Sequence, residues 1–170
     1  MKGEKTERIE LSKAATLLLE ECRMVLPGIQ ALFGFQLIVV FNPAFHEKLS
    51  DAERDLHLAA ICLIIIAIAM VMAPAAYHRQ IDPQIVSEKF VSIATRLLLY
   101  AMFPLMIALG LEFFLVARIV TGRLLLGIVL AALLVSIFST LWFVLPRNRK
   151  LQGLIATGST ATFERPSAKT

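Results

Sequence analysis

Long apolar runs separated by short polar segments dominate the chain. Four of these runs, at 24–41, 56–77, 97–117 and 124–145, are about 20 residues long. That is the length a helix needs to cross a hydrocarbon core of about 30 Å. We therefore predict an all-α polytopic membrane protein with four transmembrane helices.

An amphipathic segment precedes the first apolar run. Leu11, Ala15, Leu18, Cys22 and Val25 recur at steps of three or four and share one helix face, whereas Glu10, Lys13, Glu20 and Glu21 lie elsewhere on the helix. Such a helix either lies in the membrane interface or continues into the first span. We expect three parts: an amphipathic cytoplasmic segment at 1–23, the four-helix transmembrane domain at 24–146, and a basic, then disordered cytoplasmic tail at 147–170.

Short signals mark the ends of the predicted helices. Asn42 and Pro43 end the first span, and Ser50 with Glu53 has the spacing of a capping box before the second. The sequence Thr121-Gly122-Arg123 predicts a tight turn between the third and fourth spans.

Basic residues are unequally divided between the two sides of the predicted membrane. Thirteen Lys and Arg side chains fall on the side that holds both termini and the middle loop, and four fall on the other. The positive-inside rule therefore predicts cytoplasmic termini. The net charge of +4 comes from residues that flank apolar runs, so we expect a lipid bilayer as partner rather than nucleic acid.

Two sets of polar residues within or beside the spans are candidates for function. Glu112 lies inside the third span. A carboxylate in that position faces other helices or water and can carry protons or cations. The alternative is that Glu112 only forms a hydrogen bond or ion pair with a neighbouring residue. Gln30 and Gln36 lie in the first span on different faces, and such amides either join helices or line a polar path. Glu112, Gln30 and Gln36 are the candidate transport residues.

A charged cluster is expected at the inner face of the membrane. Topology brings six residues to that side: Glu20, Glu21, Arg23, His78, Arg79 and Arg96. Salt bridges among them would hold the first span to the second and third, and His78 would also suit a pH sensor.

The outer loop carries His46, Glu47, Asp51, Glu53, Asp55 and His57. No metal-binding spacing joins these residues, so we interpret the loop as solvated and predict no metal and no cofactor. The sequence contains no P-loop, GxGxxG or nucleophile elbow, and we predict that the protein is not an enzyme. Cys22 and Cys62 fall in or beside spans, so no disulfide framework is expected.

Two stretches carry a family resemblance. They are ECRMVLPGIQALFGF, from Glu21 to Phe35 and preceded by Glu20, and APAAYHR, from Ala73 to Arg79. Together they resemble a family of small bacterial four-span membrane proteins of unknown function, some of which are labelled sodium:proton antiporter. The resemblance implies the architecture and a bacterial cytoplasmic membrane, and it supplies no catalytic or binding residues.

Two functions fit these observations. One is an oligomeric transporter or channel for protons or small cations, with Glu112 and the Gln30 face along its path. The other is a non-transporting scaffold, partner subunit or stress-related membrane protein, for which the N-terminal helix and the basic inner face would be the interaction surfaces. For both functions, we expect the protein to form homo-oligomers. For the second function, we also expect a partner protein in the membrane.

Overall fold

A computed structural model of the protein describes residues 10–81 and 87–147, and these residues form helices without a strand. The helices are α1 (Leu11–Val40), α2 (Pro43–Lys48), α3 (Asp51–Ile81), α4 (Glu88–Thr121) and α5 (Leu124–Ser139). A π-helical turn at Thr140–Val144 and a 3₁₀ turn at Leu145–Arg147 continue α5. The predicted all-α class is confirmed.

Four helical stretches are long and apolar enough to cross a membrane. They are Leu11–Val40, Asp51–Gln80, Glu88–Thr121 and Leu124–Arg147. Each contains one of the four apolar runs recognised in the sequence. The number and order of the candidate spans are therefore as predicted.

The amphipathic segment and the first span form one continuous helix. Pro27 stands inside α1, and the helix neither ends nor restarts there. Of the two alternatives for the N-terminal segment, the structure shows continuation into the span. The boundary predicted between residues 23 and 24 thus falls inside α1. Residues 1–9, residues 82–86 and the predicted disordered tail after Arg147 lie outside the described residues.

The centre of the bundle is the packing of α3 against α4, with α1 lying against both. Among the buried residues, one row on α3 recurs at steps of four and three and one row on α4 at steps of seven, which is the spacing of helices that pack with nearly aligned axes. These rows, the seams of the two helices, are Ala60, Ile64, Ala67 and Val71 on α3, and Ala94, Ala101 and Ala108 on α4. Small side chains at this seam let the two helices approach closely.

Helix α5 packs mainly on α4. The two helices are in close contact at Gly110, where an added Cβ would lie 2.5 Å from Cγ2 of Val135. Near the other end, the rings of Phe103 and Phe143 stack with centroids 4.2 Å apart. Most side chains of α5 remain exposed, and Gly127 is its one buried residue.

The connections follow the local signals in the sequence. The side chain of Asn42 accepts a hydrogen bond from the backbone N–H of Ala44 (3.0 Å), which begins α2. At the start of α3, the backbone N–H of Ser50 donates to Oε2 of Glu53 (2.9 Å), one half of the predicted capping box. Gly122 ends α4 with φ of 66°, a left-handed conformation that glycine adopts without steric cost.

Candidate functional site

Three polar side chains meet between α1, α3 and α4 at the end of the bundle near α2. Gln36 comes from α1, His57 from α3 and Glu112 from α4. Nε2 of Gln36 donates a hydrogen bond to Oε1 of Glu112 at 2.9 Å. Nδ1 of His57 lies 2.8 Å from the same oxygen. We call this group the Gln36–His57–Glu112 cluster.

Each member of the cluster continues an apolar seam of its own helix. The steps run from Ile29 to Gln36, from Ala60 to His57, and from Ala108 to Glu112. These steps of seven, three and four residues keep a side chain on one face of a helix. The three polar residues therefore face one another because the apolar seams of their helices do.

The hydrogen-bond partners of His57 define how many protons the cluster holds. Nε2 of the ring lies 3.2 Å from the backbone carbonyl oxygen of Gln36, so Nε2 carries a proton and donates it. A hydrogen bond across the 2.8 Å between Nδ1 and Oε1 of Glu112 requires one more proton between these two atoms. With that proton, the pair is an imidazolium with a carboxylate or a neutral imidazole with a carboxylic acid. Its net charge is zero in both of these forms, which suits a membrane interior.

The cluster is buried close to one end of the candidate spans. His57 and Gln36 are each 3% exposed, and the side chain of Glu112 is 19% exposed. Glu112 lies nine residues before the end of α4 at Thr121, which is about 13 Å along the helix axis. The sequence placed it closer to that end of the span.

Helix α2 covers the cluster. The ring of Phe45 contacts the ring of His57 edge-on, with centroids 5.2 Å apart. Phe45 and Leu49 are buried together with Leu115 of α4 in a small apolar core. Phe45 and Leu49 of the connection between the first two spans therefore pack over the cluster. Of the six polar residues expected to be solvated there, Glu53 and His57 are buried, whereas the other four are exposed: His46, Glu47, Asp51 and Asp55.

An ion pair lies beside the cluster, nearer the end of the bundle. Arg118, in the last turn of α4, pairs with Glu53 in the first turn of α3. The hydroxyl of Ser50 donates to Oε2 of the same carboxylate at 2.6 Å. The Glu53 side chain is 6% exposed, so its charge depends on Arg118 and on the hydroxyl and backbone N–H of Ser50. The pair joins the beginning of α3 to the end of α4.

One acceptor of the cluster has no hydrogen-bond partner among the described residues. It is Oε1 of Gln36, which is buried. A buried amide oxygen without a partner costs free energy of about 1–3 kcal/mol unless a donor such as a water molecule reaches it.

A comparison with protein families identifies the chain. The family model described as a family of unknown function, DUF6328, matches residues 4–146. The chain belongs to DUF6328. No curated protein and no solved structure matches it. The expectation of a family of unknown function is thus confirmed, and the match includes every residue of the cluster.

In this DUF6328 protein the three candidate transport residues are separated. Gln36 and Glu112 bond each other, but Gln30 is exposed on another face of α1. The side chain of Gln30, which the sequence placed along a candidate transport path, therefore faces outwards. Gln36, which the sequence placed further out and on a different face, is the buried one.

The six residues expected to form the inner network also separate. Within the described ranges no ion pair joins any two of Glu20, Glu21, Arg23, His78, Arg79 and Arg96. Arg23, His78 and Arg79 line one groove between α1 and α3. Glu21 lines a different cavity, on the other side of α1. Glu20 and Arg96 are exposed.

Sequence reasoning missed His57 as a member of the site because it assigned this residue to the acidic outer loop. The available signal was periodicity, since His57 lies three residues before Ala60 on the seam of α3. Among the described residues no group of three or more His, Cys, Asp or Glu could hold a metal ion. Cys22 and Cys62 are not joined in a disulfide.

Proposed function

We propose that this member of DUF6328 is a multi-pass protein of the bacterial cytoplasmic membrane with both termini in the cytoplasm. We further propose that it does not transport ions itself and is instead a structural component or partner subunit. In this role the Gln36–His57–Glu112 cluster joins three spans at their outer end. One observation supports this most strongly: Glu112 is bonded to Gln36 and lies against His57, and the described interior between this cluster and the opposite end of the bundle is apolar.

The interior between the cluster and the opposite end of the bundle carries this argument. The buried side chains there include Ile29, Ile64, Val71, Ala94 and Ala101. From His57 to Val71 the axis of α3 advances about 21 Å. An ion that crossed this distance within one protomer would leave every polar partner behind, at a cost of several kcal/mol.

Gln30 supports association with a second copy of the chain. It is exposed on α1, near the middle of the proposed membrane and about 16 Å along the helix from Phe41. An amide in hydrocarbon is stabilised when a neighbouring helix offers it a hydrogen bond. We therefore propose a homo-oligomer that packs through this face of α1.

Ion flux into proteoliposomes tests the absence of transport. The full chain is reconstituted with a pH-sensitive dye inside, under pH, sodium or potassium gradients, beside protein-free liposomes and liposomes given a protonophore. We expect wild type to match the protein-free liposomes. Flux above that level in wild type, lost in Glu112→Gln, would overturn the proposal.

Cysteine crosslinking tests the oligomer. Gln30→Cys is compared with Ile66→Cys in a chain that carries Cys62→Ala. Ile66 is exposed on α3, at a similar distance of about 15 Å from the start of its span at Leu56. We expect a disulfide-linked dimer from Gln30→Cys alone. Equal crosslinking of both variants would indicate random collision and contradict the α1 interface.

A second candidate function, proton or small-cation transport by the oligomer, is favoured by the unpartnered Oε1 of Gln36. A water molecule bonded there would reach the proton shared by His57 and Glu112. In that arrangement the route beyond the cluster would run along the exposed Gln30 faces of adjacent copies. The flux experiment separates the two functions, because only this one predicts a current that requires Glu112.

A further inference from the structure

A groove between α1 and α3 lies at the end of the bundle opposite to the cluster. Its volume is about 310 Å³. Its walls are apolar in the part nearer the bundle centre, where Leu26, Val71 and Met72 line it. At its mouth stand three basic side chains, Arg23 from α1 and His78 and Arg79 from α3, of which both arginines are exposed.

Neither Arg23 nor Arg79 forms an ion pair with a described residue. His78 packs against the ring of Phe90, with centroids 5.5 Å apart, which places its ring beside the groove. Glu20 is one turn away from Arg23 on α1 and pairs with no described residue. At the mouth of the groove, two guanidinium groups on facing helices therefore have no ion-pair partner among residues 10–81 and 87–147.

The depth of this mouth matches the boundary of a bilayer. Along α1, Arg23 lies about 27 Å from Phe41, and along α3, Arg79 lies about 35 Å from Leu56. A hydrocarbon core is about 30 Å thick. If the outer ends of both spans lie at one boundary, the two arginines lie at the other, which is the level of phospholipid phosphates.

A cavity on the other side of α1 lacks this combination. It is larger, at about 370 Å³, and mostly apolar, but the charged residue in its lining is Glu21. A lipid phosphate would meet a carboxylate there. Of the two grooves beside α1, only the one with Arg23 and Arg79 matches an anionic head group in charge.

We propose that the α1–α3 groove is a binding site for one anionic phospholipid. Arg23 and Arg79 bind its phosphate from two sides, and one acyl chain lies along Leu26, Val71 and Met72. Arginine suits this role because its planar donors bind phosphate oxygens in pairs. The inference rests on the membrane placement proposed above and is independent of whether the protein transports ions.

Lipid binding to the full chain tests the proposal. The purified protein in a non-ionic detergent is titrated with dioleoyl phosphatidylglycerol or dioleoyl phosphatidylcholine, and bound lipid is counted by native mass spectrometry. We expect one phosphatidylglycerol to bind in preference to phosphatidylcholine. The double substitution Arg23→Gln, Arg79→Gln should weaken this binding about 30-fold, because each basic residue near a lipid phosphate contributes about fivefold.

Two further variants distinguish a built site from general attraction. Arg96→Gln removes a charge of the same sign from an exposed position on α4, outside the groove, and should leave binding within about twofold. Ala75→Leu keeps both arginines but fills the groove that Ala75 lines, and should weaken binding at least fivefold. Equal losses in Arg96→Gln and the double variant, or no loss in Ala75→Leu, would overturn the proposal.

The source of the phosphate and the membrane placement are tested separately. Inorganic phosphate that displaces the lipid at millimolar concentration would show a free-anion site and overturn the lipid proposal. Equal binding of phosphatidylcholine would overturn it as well. Membrane placement has its own readout, since the full chain should sediment with cell membranes and require detergent for extraction; if it does not, the placement itself is wrong.

Discussion

Nδ1 of His57 lies 2.8 Å from Oε1 of Glu112, and each side chain reaches the other from a different apolar helix. The amide of Gln36 donates to the same oxygen. One carboxylate oxygen thus joins three helices. Because the His57–Glu112 pair is neutral in either proton arrangement, the cluster contributes cohesion without placing net charge in the membrane.

The first prediction concerns the two ways of replacing Glu112. Glu112→Leu should lower the free energy of unfolding by about 1–3 kcal/mol, because it leaves His57 and Gln36 buried without their partner. Glu112→Gln should cost less than Glu112→Leu, since the oxygen of its amide still accepts a hydrogen bond from Gln36. Reversible unfolding in mixed micelles of mild detergent and SDS measures both. A larger loss in Glu112→Gln than in Glu112→Leu would contradict the proposed bonding.

The second prediction compares two glutamines of α1. Gln36→Leu should destabilise the bundle by about 1–2 kcal/mol because Glu112 loses a donor. Gln30→Leu should leave the stability of a detergent-solubilised monomer within about 0.5 kcal/mol, because Gln30 is exposed. The same unfolding assay measures the difference. Equal effects would show that Gln36 is not the buried partner of Glu112.

A double-mutant cycle sharpens this comparison. The combined variant Gln36→Leu, Glu112→Leu should be more stable than the sum of the single losses predicts, by about 0.5–1.5 kcal/mol. Additive losses would mean that the two side chains do not interact in the folded protein.

The third prediction concerns the ion pair at the end of the bundle. Arg118→Gln should lower stability by about 1–2 kcal/mol, because the buried Glu53 carboxylate loses its cationic partner and keeps only the hydroxyl and backbone N–H of Ser50. Arg123→Gln is the matched control, since Arg123 is exposed and lies in the neighbouring turn. It should change stability by less than about 0.5 kcal/mol. Thermal unfolding in detergent, followed by Trp142 fluorescence, reports on both variants.

The fourth prediction concerns the contact between α4 and α5. Gly110→Ala should cost about 1–3 kcal/mol, because the new Cβ would lie 2.5 Å from Cγ2 of Val135, and the side chain of valine is stiff. Gly28→Ala, inside α1, meets no atom within 4 Å. It should leave stability unchanged or raise it by up to about 1 kcal/mol. Thermal unfolding in the same detergent measures the stability of both variants. A stabilising Gly110→Ala would contradict the prediction, because it would show that α4 and α5 can separate at this point without a loss of stability.

Local and periodic features were readable in the sequence. The four apolar runs predict four helices because the length of a run directly reflects the thickness of the hydrocarbon that it crosses. Ser50 with Glu53 and the Thr121-Gly122-Arg123 turn were also recognised correctly, since caps and turns depend on neighbouring residues. The spacing of Ala15, Leu18 and Cys22 in the sequence also predicts the first part of the buried face of α1, on which these residues lie.

The partners in the candidate site were not readable in the same way. The seam of α1 extends in steps of seven from Cys22 through Ile29 to Gln36, but an exposed amide and a buried one look alike in a uniformly apolar helix. His57 belongs by composition to the acidic loop. Its burial depends on α2, which brings Phe45 over the ring.

The all-α class, the four helices and the periodicity of each seam follow from hydrophobicity and from the 3.6-residue turn, so they were predictable from the sequence. Which seams face one another follows from the packing of the whole bundle. That choice depends on the mutual rotation of three helices, which local sequence does not specify. It brings Gln36, His57 and Glu112 together at one end of the bundle and places Arg23 and Arg79 on one groove at the other.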